Sequence, residues 1–158
     1  MLTSRLVPTP VGELTLVGSP RGLRGVLWAG QASAESCDAV SCDVLDEAGR
    51  QLGAYFAGDV RRFDLPLDLV GTDFQLVAWR ALADIPYGTT RSYGEQARRL
   101  GRPRAVRAVG AANGRNPLPI VLPCHRIVGA DGSLVGFGGG LAVKRLLLEH
   151  EARVATRR

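Results

Sequence analysis

The chain has 158 residues, a formal net charge of +5, three cysteines and two histidines. This length accommodates one domain or two small ones and buries about two thirds of the unfolded surface, so no disulfide scaffold is required. No run approaches the ~18 consecutive apolar residues of a membrane span, the first residues lead into a strand pattern rather than a signal-peptide core, and a sparse, odd cysteine complement argues for a reducing compartment; the expectation is a cytoplasmic protein without a membrane partner.

The elements follow in chain order. Leu2 to Val7, Glu13 to Val17 and Leu23 to Trp28 alternate as strands between Pro/Gly turns and predict an antiparallel meander. Gly30 to Ser41 reads as a loop; Cys37 in it and Cys42 beside it read as loop or surface thiols, because no second Cys or His pair nearby completes a tetrahedral metal site. Residues 43 to 57 place Leu45, Ala48, Leu52 and Tyr55 at helical spacing, and Gly58 stops the run. Phe63 to Leu69 is extended, with Pro66 making it an edge strand or linker. A boundary near Gly71 predicts domains at 1–71 and 72–158, with Thr72 as a helix cap.

The boundary also divides the charge. Residues 1 to 71 hold 6 basic and 9 acidic side chains, whereas residues 72 to 158 hold 14 basic and 6 acidic. A basic half of this kind points to a polyanion, nucleic acid being the commonest.

In that half, Phe74 to Ile85 reads as a helix. Ser92 followed by Glu95 gives a capping-box signature for a helix from Tyr93 to Leu100. Pro103 suits the first turn of a third helix running to Asn113, and the last two form a helix-turn-helix candidate. Asn113 to Pro117 is a turn. Gly136 to Gly140 is a loop, not a phosphate loop, because the spacing to Lys144 is wrong. A final helix runs from Leu141 to Ala152, and residues 153 to 158 read as a frayed tail.

Between these elements stands Pro123-Cys124-His125-Arg126-Ile127-Val128. Thiolate is the reactive form of cysteine, and a neighbouring base and positive charge are what lower a thiol pKa. An ordinary core strand has no use for two consecutive cationic side chains. In an extended segment adjacent side chains face opposite ways, so the reading is that His125 reaches Cys124 through a water.

Taken together, Gly71-Thr72-Asp73-Phe74-Gln75, Ile85-Pro86-Tyr87-Gly88, Ser92-Tyr93-Gly94-Glu95, Arg107-Ala108-Val109-Gly110, Asn116-Pro117 and Pro123-Cys124-His125-Arg126 closely resemble the O6-alkylguanine-DNA alkyltransferases, the methylated-DNA–protein-cysteine methyltransferases. The match covers Gly71 to Glu151; the first half fits loosely. The resemblance implies an α/β (α+β) chain with a small N-terminal antiparallel sheet plus helix, then a mostly helical domain carrying a helix-turn-helix and the acceptor cysteine. It further implies a DNA repair protein that moves the alkyl group of O6-alkylguanine irreversibly to its own cysteine, once per molecule, without a cofactor; O4-alkylthymine stays open as a second substrate.

By this resemblance Cys124 accepts the alkyl group, His125 acts through water as its base, and Glu151 orients and charges His125. Tyr93 turns the target phosphate and donates to guanine N3, and Asn116 braces the turn. Arg107 fills the gap left by a flipped base; with Tyr93, Ala105, Ala108, Gly110, Ala111, Asn113 and Arg115 it forms the face against the minor groove of double-stranded DNA, bound as a monomer, with cooperative binding along DNA left open. The carbonyls of Cys124 and Ile127 accept from the guanine amine. Phe137 and Gly138 stand where some members carry tyrosine and serine, leaving the Gly138 amide to donate to O6 and implying a roomier pocket. Arginines 91, 98, 99, 102, 104, 107, 115 and 126 crowd the same face and predict salt-sensitive binding. Two alternatives differ in class: a lesion binder that recruits other factors, against which Cys124 argues, and a Cys-His hydrolase, against which the adjacency of Cys124 and His125 argues.

Overall fold

The computed structural model describes residues 2–31 and 43–157. Cys37 and Cys42 lie outside the described residues. The chain divides into two compact units, Met1–Val70 and Gly71–Arg158.

The first unit is a three-stranded antiparallel meander, β1 (Thr3–Thr9), β2 (Gly12–Ser19) and β3 (Gly22–Leu27), with helix α1 (Asp43–Ala57) on one face. Leu14 and Leu16 of β2 are fully buried, and α1 turns Leu45, Ala48, Leu52 and Tyr55 inward at the three- and four-residue spacing of one helical face. Gly18 permits the close approach, because a Cβ there would lie 3.1 Å from Leu45. The Phe63 to Leu69 segment lies along the outer edge of β3 through one parallel bridge, Leu23 to Leu67. Leu23 N–H donates to the Pro66 carbonyl (2.8 Å) and Asp68 N–H to the Leu23 carbonyl (2.9 Å), a pattern that never calls on the absent Pro66 N–H.

The second unit is mainly helical: α2 (Asp73–Leu82), α3 (Tyr93–Arg99), α4 (Val106–Gly114) and α5 (Leu141–Ala155). Two short strands, β4 (Arg91–Ser92) and β5 (Ile127–Val128), pair in parallel. The reciprocal capping box forms at Thr72 and Gln75, where each side chain bonds the other's amide at 3.1 and 3.0 Å. Ser92 caps α3 by accepting from the Glu95 amide. Trp79 Nε1 donates to the Ala112 carbonyl at 2.8 Å and ties α2 to α4.

Several helix bounds differ from the sequence expectation: α2 stops at Leu82 rather than Ile85, and the ends of α3 and α4 shift by one residue. The helix expected from Pro103 begins at Val106, because residues 102–105 are used to reverse the chain after Gly101 (φ 73): the Ala105 amide bonds the Arg102 carbonyl, and Ala105 itself is not helical. The tail expected to fray from residue 153 remains helical to Ala155, because Val154 is buried and extends the inner face that Leu147 and Glu151 begin. Among the described residues no helix is long and apolar enough to cross a membrane.

Candidate active site

Cys124, His125 and Arg126 form one 3-10 turn, not the extended segment expected, and all three are buried. Pro123, with φ −78°, opens the turn, and its carbonyl accepts from the Arg126 amide at 3.0 Å. At about three residues per turn the side chains leave the axis in three directions, so adjacent residues serve different partners. The approach, Leu118 to Leu122, is a tight loop in which Ile120 holds φ 73, an outlier for a β-branched residue. Asn116 secures that loop from within: its Nδ2 donates to the Leu122 carbonyl (2.8 Å) and its Oδ1 accepts from the Leu118 amide (3.0 Å).

His125 points at α5. Its Nε2 lies 2.6 Å from Glu151 Oε2, with both side chains fully buried. Its Nδ1 is buried and finds no hydrogen-bond partner among the described residues. Arg126, which sequence reasoning placed on a DNA face, is buried and grips the same carboxylate: Nε to Oε1 at 2.7 Å and Nη2 to Oε2 at 3.0 Å, while Nη1 donates to the Ile85 carbonyl at 2.7 Å. Its guanidinium also lies over the Tyr87 ring, 5.4 Å from the centroid. The planar fork of arginine fits a carboxylate bidentately, which is why this neighbour of His125 turns inward to Glu151 instead of outward to solvent.

Burial pushes the Cys124 thiol up to about 11, while a hydrogen bond with Asn116 and the charge of Lys144 pull the other way. Burial lowers the His125 pKa, outweighing the support of Glu151. Burial alone would raise the Glu151 carboxyl, but the bonds from His125 and Arg126 hold it well below the usual carboxylate range. The resting site is therefore a protonated thiol beside a neutral imidazole, with the carboxylate charge already balanced by Arg126.

Lys144, the chain's single lysine, is also fully buried. Its Nζ donates to the carbonyls of Ile127 (2.6 Å) and Val135 (3.0 Å). With Glu151 paired to Arg126, Lys144 is the cation whose field acts on the thiol. Sequence reasoning missed it; the available signal was one lysine in an arginine-rich chain, seven residues from Glu151 on the face that Leu147 and Val154 share. Tyr93, the first residue of α3, is delivered to the same region by the β4–β5 pairing, and its hydroxyl donates to the Val135 carbonyl at 3.4 Å.

Residues 73–153 match the family model for the DNA binding domain of 6-O-methylguanine DNA methyltransferase, and residues 2–69 match the model for its ribonuclease-like domain. This chain belongs to that family. A methylated-DNA–protein-cysteine methyltransferase of Mycolicibacterium paratuberculosis is 50% identical over 155 residues, covering 97% of this chain and 94% of the relative. One of Methanosarcina acetivorans is 47% identical over 146 residues, covering 90% and 94%. Among solved structures, Mycobacterium tuberculosis OGT in complex with DNA superposes with a TM-score of 0.86 at 47% identity, covering 96% of this chain and 94% of that one. The mixed architecture expected from the sequence, a small antiparallel sheet with helices, is that of these methyltransferase structures.

In this member of the methyltransferase family α4 buries Val109, Ala112 and Asn113 and exposes Arg107, Ala108 and Ala111; Arg115 just beyond it is also exposed, and Ala105 and Gly110 are half-buried. Asn113 thus departs from the expected outward face: its position one helical turn after Val109 turns it inward, where its Nδ2 donates to the Cys124 carbonyl at 3.4 Å. Ile127 is buried and its carbonyl already accepts from Lys144, leaving one lone pair for another donor. Phe137 is half-buried and Gly138 exposed, in a turn closed by the Gly140 amide on the Phe137 carbonyl.

Proposed function

We infer that this protein repairs alkylated DNA by transferring the alkyl group to its own cysteine, one group per molecule. The observation that carries the reading is Cys124 itself, buried at the head of the turn that delivers His125 to Glu151, in a chain half identical to proteins named methylated-DNA–protein-cysteine methyltransferase. Cys124 Sγ attacks the alkyl carbon, the bond from that carbon to guanine O6 breaks, and its electron pair leaves with the base. The thiol proton passes through a water to Nδ1 of His125, which has no hydrogen-bond partner among the described residues and whose other ring nitrogen is held by Glu151. Tyr93 donates to N3 of the departing guanine, and Lys144 offsets the thiolate charge while it exists. The product is a thioether, which neither water nor a nearby thiol displaces, so the protein is consumed.

An O6-alkyl group in a duplex is shielded by stacking, and flipping the base out costs a few kcal/mol. The pair α3 and α4 acts here as a helix-turn-helix placed in the minor groove, with Arg107 at the gap and the small exposed side chains Ala108 and Ala111 allowing close backbone approach. Asn116 keeps the Cys124 turn in register by holding the Leu118–Leu122 loop. The carbonyls of Cys124 and Ile127 and the Gly138 amide read the base, and the protein binds as a monomer in the cytoplasm.

The deciding experiment is intact-protein mass spectrometry of wild type and Cys124→Ser after incubation with a duplex carrying one O6-methylguanine. The expected result is one methyl on wild type alone, saturating at one per molecule. Lesion binding without any adduct points to a recruiter and overturns the reading.

A further inference from the structure

The second unit also holds a cleft of about 250 Å³ where the end of α2 meets β4 and α3, with Arg91, Gln96, Arg99 and Asp84 as its polar lining. The volume falls below the roughly 300–1,000 Å³ of pockets for drug-sized ligands and suits a small group. Arg91, half-buried, is fixed by two bonds: Nη2 donates to the Asp84 carbonyl at 3.1 Å and Nη1 to Gln96 Oε1 at 3.3 Å. Its remaining N–H donors are left for another acceptor. The second bond also sets the Gln96 amide, because the reversed amide would face donor against donor. Nε2 is thus the free end of that amide, in a side chain only 1% exposed, and it is buried with no hydrogen-bond partner among the described residues. A buried donor left unmatched lowers stability, and an apolar side chain of that size would pack there without the loss. Arg99 follows Gln96 by three residues on α3 and lines the same cleft. Among the described residues neither arginine forms an ion pair with a carboxylate. Burial lowers the Arg91 pKa and the charge of Arg99 lowers it further, opposed only in part by Asp84 and Glu95. Two like charges held this close are unfavourable until an anion joins them.

We propose that this cleft is a binding site for a phosphate group, held by the guanidinium forks of Arg91 and Arg99 and by the unmatched amide of Gln96. Donors reach the cleft from three side chains on two elements, which suits the several oxygens of a tetrahedral phosphate better than the two of a carboxylate. The phosphate supplies the acceptor that Gln96 Nε2 lacks and the charge that Arg91 and Arg99 lack. The cleft shares no residue with the Cys124 centre. Two sources carry this chemistry, a backbone phosphate of DNA and a free phosphate or phosphate ester. The backbone is the expected source, which rests on the reading of α3 and α4 as a helix-turn-helix, because the first helix of that motif crosses the backbone.

The test follows the Gln96 side-chain amide of the full chain by proton–nitrogen correlation NMR, with Gln96→Leu assigning the signal by its loss. Sodium phosphate is titrated against sodium chloride at constant ionic strength, so that screening is equal in both. The wild-type signal is expected to shift saturably with phosphate and to stay in place with chloride. Arg99→Ala, an exposed position given a strong helix former, is expected to weaken the apparent affinity about tenfold, the effect of losing one charge-assisted bond. Arg145→Ala removes an equal charge from the exposed face of α5 and is expected to leave the affinity unchanged. A second arm adds saturating lesion-free duplex. A signal that shifts with duplex and no longer answers phosphate identifies the DNA backbone as the source, and one that still answers phosphate identifies a free phosphate. A Gln96 signal that moves with neither phosphate nor duplex, or a loss as large in Arg145→Ala as in Arg99→Ala, overturns the site. Neither result touches Cys124, whose methylation tests alkyl transfer separately.

Discussion

Replacing Glu151 by glutamine removes one charge from a fully buried cluster and leaves its shape unchanged. Glu151 accepts from His125 at 2.6 Å and from Arg126 at 2.7 and 3.0 Å, and Arg126 is itself only 5% exposed. The substitution strands a guanidinium away from water, and removing one partner of a buried pair destabilises by about 3–5 kcal/mol. In a domain of this size each kcal/mol moves the midpoint by roughly 4–8 °C, so the variant is expected to melt at least about 12 °C below wild type. The same charge argument predicts that Glu151→Gln combined with Arg126→Met recovers most of the loss, because the stranded charge has gone with its partner. Thermal and urea unfolding of wild type, both single variants and the double provide the cycle. A Glu151→Gln midpoint within about 1 kcal/mol of wild type, or a double variant no more stable than Glu151→Gln, refutes the claim that charge balance at Glu151 holds the active-site turn to α5.

Three further outcomes follow from the same geometry. The Cys124 thiol, raised from 9.0 to about 11 by burial, is expected to react slowly with iodoacetamide at neutral pH in the free protein and to gain rate up to about pH 11; peptide mapping isolates it from Cys37 and Cys42, and a rate that levels off near pH 8.5 contradicts the burial argument. His125 and Glu151 both titrate below their ordinary values of 6.5 and 4.5 in the folded state, so the stability they contribute is complete above those values and is lost on acidification, from His125 first and then from Glu151; urea midpoints that do not fall between pH 7 and pH 4 contradict this. At Gly88 (φ 77), a Cβ would lie 2.8 Å from that of Ala155, so Gly88→Ala is expected to cost more than about 1 kcal/mol, of which Ala155→Gly in the same chain recovers the steric part but not the backbone part; equal stability of Gly88→Ala and wild type would show that the loop does not pack on α5 as described.

Salt titration tests the DNA face. Arg107→Ala is expected to weaken binding and reduce the slope of log affinity against log salt by about one, whereas Arg126→Met should leave that slope unchanged, because Arg126 contacts Glu151 and not solvent. A slope that falls equally in both variants would place Arg126 at the phosphate backbone.

Local chemistry made much of this protein legible from its sequence. The meander is written in alternation and Pro/Gly turns, α1 in the spacing of Leu45, Ala48, Leu52 and Tyr55, and the caps in Thr72 and Ser92, because each depends on residues within a few positions of one another. The Cys124-His125 pair announced itself by residue type, as did the family motifs around it. Tertiary structure decided which partners these groups serve. An extended segment and a 3-10 turn are compatible with the same six residues, and only the bonds of Pro123 and Arg126 select the turn that sends adjacent side chains to different neighbours. Arginine at position 126 and asparagine at 113 both read as surface residues. Burial reverses both readings, because a carboxylate 25 residues away on α5 matches the Arg126 fork and the Cys124 carbonyl meets Asn113. Lys144 gave almost no signal at all: a lone lysine on a helix is ordinarily solvated, and only the convergence of two distant carbonyls, Ile127 and Val135, makes a dry ammonium possible there. Sequence reports what a side chain can do; the charge and hydrogen bonds brought to it across the fold determine what it does.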